Sequence, residues 1–404
     1  MNQKNHLSEN KPALRFPEFS GEWVSSRLAD FTTWASGGTP SKEKAEYWDG
    51  DIPWISASSM RGTSYSDSDL KITPLGLNNG SKLAKKGSLL ILVRGSMLFN
   101  KIPIGIATRD LSFNQDVKSI IVSEQSSSQF ILYWFMYYEP ELLSMVTGTG
   151  IGAGKLDLAG LKSLKLSVPS LPEQQKIASF LTSIDEKLQA LKKKKFFLDK
   201  YKKGVMQRIF SQELRFKDDD GGNFPKWEEK TLGEVSEITM GQSPESSSYN
   251  TEGVGLYLIQ GNADISNRKS NPRNYTSEPT KICEIGDIIL TVRAPVGATA
   301  KSYHRACIGR GVCSIKNSTR STIDFLYHYL LDYEPKWVRL EQGSTFTAIS
   351  GSDIRSIEIA IPSLEEQIKI ANFLSAIDEK ISHTKSQIEK TEVWKKGLLQ
   401  QMFC

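Results

Sequence analysis

Residues 168–210 read VPSLPEQQKIASFLTSIDEKLQALKKKKFFLDKYKKGVMQRIF. They return at 361–403 as IPSLEEQIKIANFLSAIDEKISHTKSQIEKTEVWKKGLLQQMF. The offset is a constant 193 without a gap, and 20 of 43 positions are identical. Such a repeat limits the fold more than composition does, because both copies must find equivalent surroundings. Weaker matches precede each copy. EWVSSRLADFTTWASGGTPS parallels KWEEKTLGEVSEITMGQSPE, KKGSLLILVRGS parallels CEIGDIILTVRAP, and FILYWFMYYEP parallels FLYHYLLDYEP. The chain is therefore unit–helix–unit–helix. The expected boundaries are a polar extension at 1–13, a first unit at 14–167, a first helix at 168–212, a second unit at 213–360 and a second helix at 361–404. Asp-Gly-Gly and Pro225 mark turns in the link between the halves.

Each repeated segment opens on Pro-Ser-Leu, a reasonable helix start. Apolar residues then fall at alternating four- and three-residue steps: Ile177, Leu181, Ile184, Leu188, Leu191 and Leu198 in the first copy. Ile370, Leu374, Ile377, Ile381, Ile388 and Leu398 follow in the second. This is a heptad seam, interrupted by Lys195 and Lys202 in one copy and by Thr384, Thr391 and Lys395 in the other. The regularity favours packing of the two helices on each other over packing of each on its own unit. Some 40 residues of helix extend ~60 Å. The first copy carries ten Lys/Arg against four Asp/Glu, a net of +6, and the second six against six. The tract Lys192–Lys195 reads first as a solvated helix face, second as a surface for an acidic partner or nucleic acid.

The units mix strand-like runs (IPWIS, SLLILV, DVKSIIV; LYLIQ, DIILTV, GVCSIK) with one aromatic helix each, without regular strand–helix alternation. An α+β fold is expected. The whole is then two similar mixed units, two long helices forming a coiled coil, and a pseudo-two-fold internal repeat.

Catalytic motifs are missing. GTGIGAGKL, from Gly148, has the glycines and lysine of a phosphate loop, but Gly148 lies one residue too far from Gly154-Lys155 and Leu156 stands where Ser or Thr is needed. Its counterpart in the second unit matches only at Gly343-Ser344, and Lys155 falls opposite Ala348. No Ser-His-Asp set recurs, no N-P-P-Y motif for amino-methyl transfer exists, and the four cysteines and four histidines form no metal pattern. The cysteines read as reduced thiols, the N-terminus lacks an apolar signal core, and no run approaches membrane-spanning length, so a cytoplasmic protein away from membranes is expected. The net charge of +5 permits a nucleic-acid partner without demanding one.

Binding fits better than catalysis. Loops of the two units are rich in Arg, Lys, Asn, Gln, Ser and Thr, which contact phosphates and base edges. They differ between the units while the frame repeats, as two readers of different sequences require. Candidate DNA contacts are Thr39, Ser56, Ser58, Arg61, Lys71, Arg94, Gln115, Thr149 and Lys155 in the first unit. In the second they are Ser243, Gln260, Asn262, Arg268, Lys269, Arg273, Arg293, Arg310 and Ser344. For any one of them an ordinary polar surface is the simpler explanation. Arg94 and Arg293 end equivalent strands, and either DNA or a carboxylate of the same unit could hold them.

PSLPEQQKIASFLTSIDEK and PSLEEQIKIANFLSAIDEK, each after a unit that starts at FPEFSGEW or NFPKWEEKTLGEV, resemble the specificity subunits of type I restriction–modification enzymes, from about residue 14 to 404. The resemblance implies that each unit reads one half of a split duplex DNA site and that the helices form an antiparallel pair that sets the gap. It also implies docking of methyltransferase subunits, two in number, and of restriction–translocase subunits. S-adenosylmethionine, ATP and Mg are then expected on those partners and no cofactor on this chain, which would not itself be an enzyme. It implies too that a phosphate contact in the glycine loop would be to the DNA backbone. The alternative is a coiled-coil scaffold whose units bind protein without touching DNA.

Overall fold

The computed structural model describes residues 11–150, 152–342 and 348–404. The chain forms two compact units, residues 1–191 with 387–404, and residues 192–386. Each therefore takes one half of each long helix into its own body.

In the first unit, a five-stranded sheet has the order Thr32–Ser36, Val117–Val122, Leu89–Leu92, Ile104–Ala107, Ser64–Tyr65. Leu89–Leu92 is buried at every position, as its unbroken apolar run requires of a strand covered on both faces. A four-stranded sheet places Trp48–Ile55 parallel to Leu111–Phe113. The second unit repeats both. Ile288–Thr291 is the buried middle strand of a six-stranded sheet, and Leu256–Ile259 runs parallel to Ala306–Ile308 in a five-stranded one. In both units the chain leaves the second sheet and enters the first through a three-residue corner, 114–116 and 309–311. An α+β class is what the structure has.

Helix α1 (Ser128–Tyr137) carries the aromatic run, and Phe130 to Phe135 are all buried. Helix α2 spans Leu171–Phe210, α3 spans Ile323–Gln342, and α4 spans Leu364–Met402. Short strands close each unit on itself just before the long helix: Val24–Arg27 pairs with Lys165–Val168, and Glu228–Thr231 with Glu358–Ile361.

The Pro-x-Leu-x-Glu-Gln signature has a structural explanation. Glu173 and Glu366 are buried, yet each is satisfied: Glu173 by Arg15 (2.7 Å to each oxygen) and the Trp23 indole (3.4 Å), Glu366 by Arg215 (2.5 and 3.1 Å) and the Trp227 indole (3.0 Å). Burying a carboxylate without such partners would be strongly unfavourable. Gln174 accepts from the Ser127 amide at the start of α1 and donates to the Pro169 carbonyl, both at 2.9 Å. Gln367 does the same with Thr322 at the start of α3 (2.8 Å) and Pro362 (2.9 Å). One buried glutamine thus ties each long helix to its unit's aromatic helix.

Ile177, Leu181, Ile184, Leu188, Ile370, Leu374, Ile377, Ile388 and Leu398 are buried, and Leu191, Leu198 and Ile381 are half-buried. In the first unit Ile177, Leu181 and Ile184 share one core with Trp23, Phe130, Leu398 and Phe403. In the second, Val205 and Ile209 share one with Trp227, Phe325, Ile370 and Leu374. Each half-helix packs on its unit and on the other helix's half at once, so the two packing alternatives are not exclusive. Within each unit the halves run antiparallel: Asp185 meets Lys395, and Lys202 meets Asp378, both at 2.6 Å. Thr384 and Thr391 sit buried in the seam because their hydroxyls donate back to Lys380 and Gln387 carbonyls, each at 2.7 Å. Among the described residues no helix is long and apolar enough to cross a membrane.

Candidate nucleic-acid interface

The corner between the sheets gathers the first group of candidates. The Gly37–Pro40 turn lies across it, with the Gly38 amide donating to the Phe113 carbonyl and the Trp54 indole donating to the Gly38 carbonyl, both at 3.0 Å. A Cβ on Gly37 would come within 2.1 Å of the Phe113 oxygen, so only glycine fits. This seats Thr39, whose hydroxyl donates to Gln115 Oε1 at 2.6 Å. The Asn114 amide bonds the Ile55 carbonyl (2.9 Å), which brings Ser56 to the same corner.

The second unit repeats the two backbone bonds of this corner with other side chains around them. The Gln242 amide donates to the Ile308 carbonyl (2.9 Å) and the Gly309 amide to the Ile259 carbonyl (2.8 Å). Ser243 Oγ accepts from the Arg310 amide at 3.2 Å. A Cβ on Gly311 would meet the Gln260 carbonyl at 2.1 Å, so Gln260 is packed against the corner as Ser56's equivalent. Thr39, Ser56 and Gln115 therefore correspond in place to Ser243, Gln260 and Arg310.

Arg94 and Arg293 flank the corner. The Val93 amide bonds the Asp116 carbonyl (2.8 Å), and the Val292 amide bonds the Gly311 carbonyl (2.9 Å), so each arginine follows a residue fixed to the corner. Both arginines are exposed, and among the described residues neither guanidinium has a side-chain partner. Lys155 lies directly opposite Arg94 on the neighbouring strand, and Ala348 opposite Arg293. Two like charges in cross-strand register repel, and among the described residues no carboxylate offsets this pair. Behind Gln115, the Lys118 ammonium donates to its carbonyl at 2.7 Å, and burial lowers the Lys118 pKa from its ordinary value. The sequence pattern does not reveal Lys118; it lies near the start of the strand Val117–Val122, where nothing local marks it.

The glycine-rich segment is a hairpin. Val146–Gly148 pairs with Gly154–Leu156, and both the amide and the hydroxyl of Thr149 donate to the Ala153 carbonyl at 2.8 Å. The Thr149 hydroxyl is committed to closing the turn, while Lys155 remains exposed.

Ser58 reaches the corner through Ser56 (3.0 Å), and the remaining candidates are not placed on it. Lys71 pairs with Asp67 (3.3 Å). Arg61, Asn262 and Arg273 are exposed. Arg268 is held by both oxygens of Glu334 and by the Thr299 carbonyl, and Lys269 lies 4.4 Å from the Tyr303 ring centre. The segment 260–275 thus divides, with Gln260 at the corner and Arg268 turned to α3. Ser344 lies outside the described residues.

Asp185 and Asp378 also escaped the candidate set. The signal was present: both lie in an identical Ile-Asp-Glu-Lys, and their partners Lys395 and Lys202 occupy one repeat column.

Known proteins share this organisation. The family model described as the type I restriction modification DNA specificity domain matches twice, at residues 20–196 and 225–392. A Methanocaldococcus jannaschii protein provisionally named the MjaX type I restriction enzyme specificity subunit is 30% identical over 98% of this chain and 96% of its own. The Escherichia coli EcoR124I/EcoR124II specificity subunit is 33% identical over 46% of each chain. Among solved structures, the type I restriction–modification S subunit from M. genitalium matches with a TM-score of 0.64 at 16% identity, covering 98% of this chain and 99% of that one. Two domain matches, a full-length relative and two like units with long repeated helices agree: the chain belongs to the type I restriction–modification DNA specificity subunit family.

Proposed function

We propose that each unit reads one half of an asymmetric, bipartite duplex DNA site through its sheet corner, and that α2 and α4 set the gap and dock methyltransferase subunits. The observation that carries this is the pair Arg94–Lys155. Two exposed cations stand opposite each other with no carboxylate among the described residues to balance them. A phosphate supplies the missing charge. Arg293 takes the same position in the second unit, where Ala348 replaces the lysine. Beside these arginines the corner residues differ, Ser56 against Gln260 and Gln115 against Arg310, so the two half-sites differ too. Gln and Arg pair bidentately with adenine and guanine edges.

The chain is the recognition member of a cytoplasmic complex. Methyl transfer and cleavage belong to methyltransferase subunits, two of them, and to restriction–translocase subunits. Those partners would bind S-adenosylmethionine, ATP and Mg. The test assembles the chain with its methyltransferase partners and measures duplex binding against salt. Site-specific binding that weakens steeply with salt, with two unlike half-sites in the methylated sequence, is expected. Salt-independent protein binding without DNA affinity would support the scaffold alternative instead. Methyl transfer by the chain alone would overturn the division of labour.

A further inference from the structure

The seam contains three lysines where a coiled coil prefers apolar residues. Of these, Lys195 pairs, among the described residues, only with Asp199 of its own helix, while the other two reach across. In the heptad phase set by Leu181 and Leu188, Lys202 and Lys395 occupy a positions. They are repeat equivalents, 193 residues apart, and only 13% and 16% exposed. Lys395 donates to Asp185 at 2.6 Å, and Lys202 to both oxygens of Asp378 at 2.6 and 2.7 Å. Asp185 and Asp378 are themselves repeat equivalents. A lysine at such a position lowers stability, and replacing a buried ion pair by apolar residues is often neutral or better. Stability is therefore a poor reason to keep both pairs.

The groups behind each aspartate suggest another. In the first unit the Tyr133 hydroxyl, on α1, donates to Asp185 at 2.8 Å and lies 3.2 Å from the Thr182 hydroxyl. Lys395 lies 5.4 Å from the centre of the same ring. In the second unit His328, on α3, takes the place of Tyr133. Its Nε2 lies 3.2 Å from the hydroxyl of Ser375, the equivalent of Thr182, and its Nδ1 approaches Asp378 at 4.0 Å. Each cluster thus joins three elements of one unit: the aromatic helix of the recognition fold, the long helix carrying the aspartate, and the antiparallel half-helix carrying the lysine.

We infer that Asp185–Lys395 and Asp378–Lys202 are positioning clamps that fix each recognition fold against the helix pair and so restrict the gap between half-sites that the protein accepts. The inference rests on the reading that the helices set that gap. A seam of leucine and isoleucine alone packs without direction, whereas an ion pair braced by a ring has one geometry. Removing it leaves the bases read unchanged but lets the recognition fold shift along the helices.

The experiment sequences the methylome of a host carrying the chain and its methyltransferase partners. It compares methylation at sites with the native gap and with gaps one base pair shorter and longer. Lys202→Met and Lys395→Met keep side-chain length and an apolar seam. Each is expected to keep both half-site sequences, while the melting temperature of the purified chain falls because the aspartate is left without its cation. Each should reduce discrimination against the wrong gaps by about tenfold, the size of effect that coupled neighbouring residues show. Lys202→Arg and Lys395→Arg should keep native discrimination. Met variants as strict as the native chain would overturn the clamp while leaving the gap-setting reading intact. A native chain that methylates all gaps alike would overturn both. If the Met variants do not fold, the exchange Asp185→Lys with Lys395→Asp must restore folding and gap discrimination together, and failure to do so overturns the clamp.

Discussion

Arg94 and Arg293 are exposed and without side-chain partners among the described residues, so removing either guanidinium costs little in folding. Arg94→Ala or Arg293→Ala should weaken duplex binding and lower the slope of log affinity against log salt by about one for each phosphate no longer neutralised. The melting temperature should stay put. A large fall in melting temperature with retained affinity would make them structural. His328 offers a second test. Burial first, then the neighbouring Lys202 and Lys301 charges, hold its pKa down at about 3. The ring is neutral in the fold, so its 4.0 Å approach to Asp378 is not an ion pair. Its pKa in the folded chain is below that in the unfolded chain, so the unfolded state takes up the proton first as pH falls. Stability is then full above about pH 6.5 and declines below it, by up to about 2 kcal/mol between pH 6.5 and 5. Urea unfolding should show this decline in the native chain and a smaller one in His328→Gln.

At the scale of elements, the signature that made the repeat recognisable turns out to be an anchor. Gln174 and Gln367 each satisfy backbone groups at two helix starts while almost fully buried. Gln174→Ala or Gln367→Ala leaves those groups without partners and should cost about 1–3 kcal/mol, read as a lower midpoint in urea. An unchanged midpoint would mean that water replaces the amide. The seam and the strands were legible because their signal is local periodicity. The anchor's chemistry was not, because Arg15 lies 158 residues from Glu173 and Arg215 lies 151 from Glu366. Distance along the chain also hides the partner of Arg268. Its neighbours suggested a polar DNA-facing loop, but Glu334, 66 residues on, holds it. Within the candidate site, Arg94 and Arg293 were legible as strand ends. The pairing of Thr39 with Gln115 was not, since it depends on how two sheets meet.

At the scale of the whole molecule, two like units with unlike corners imply separable functions. Replacing residues 1–167 with the matching unit of a relative should change one half of the recognised sequence and leave the other intact. Altering the helices should do something else. Four residues added to each long helix lengthen it by ~6 Å and roughly one turn. Four residues are about 1.1 turns, so the two ends rotate relative to each other by only about 40°. DNA rises about 3.4 Å per step along a strand, so the gap should grow by about one or two base pairs with both half-sites unchanged. Methylome sequencing of both variants reads the two outcomes separately. If the unit exchange altered both half-sites, each unit would not read alone. If the insertion changed the bases read and not their spacing, the helices would be acting on the corners' shape instead of their separation, and the gap would have to be set elsewhere in the complex.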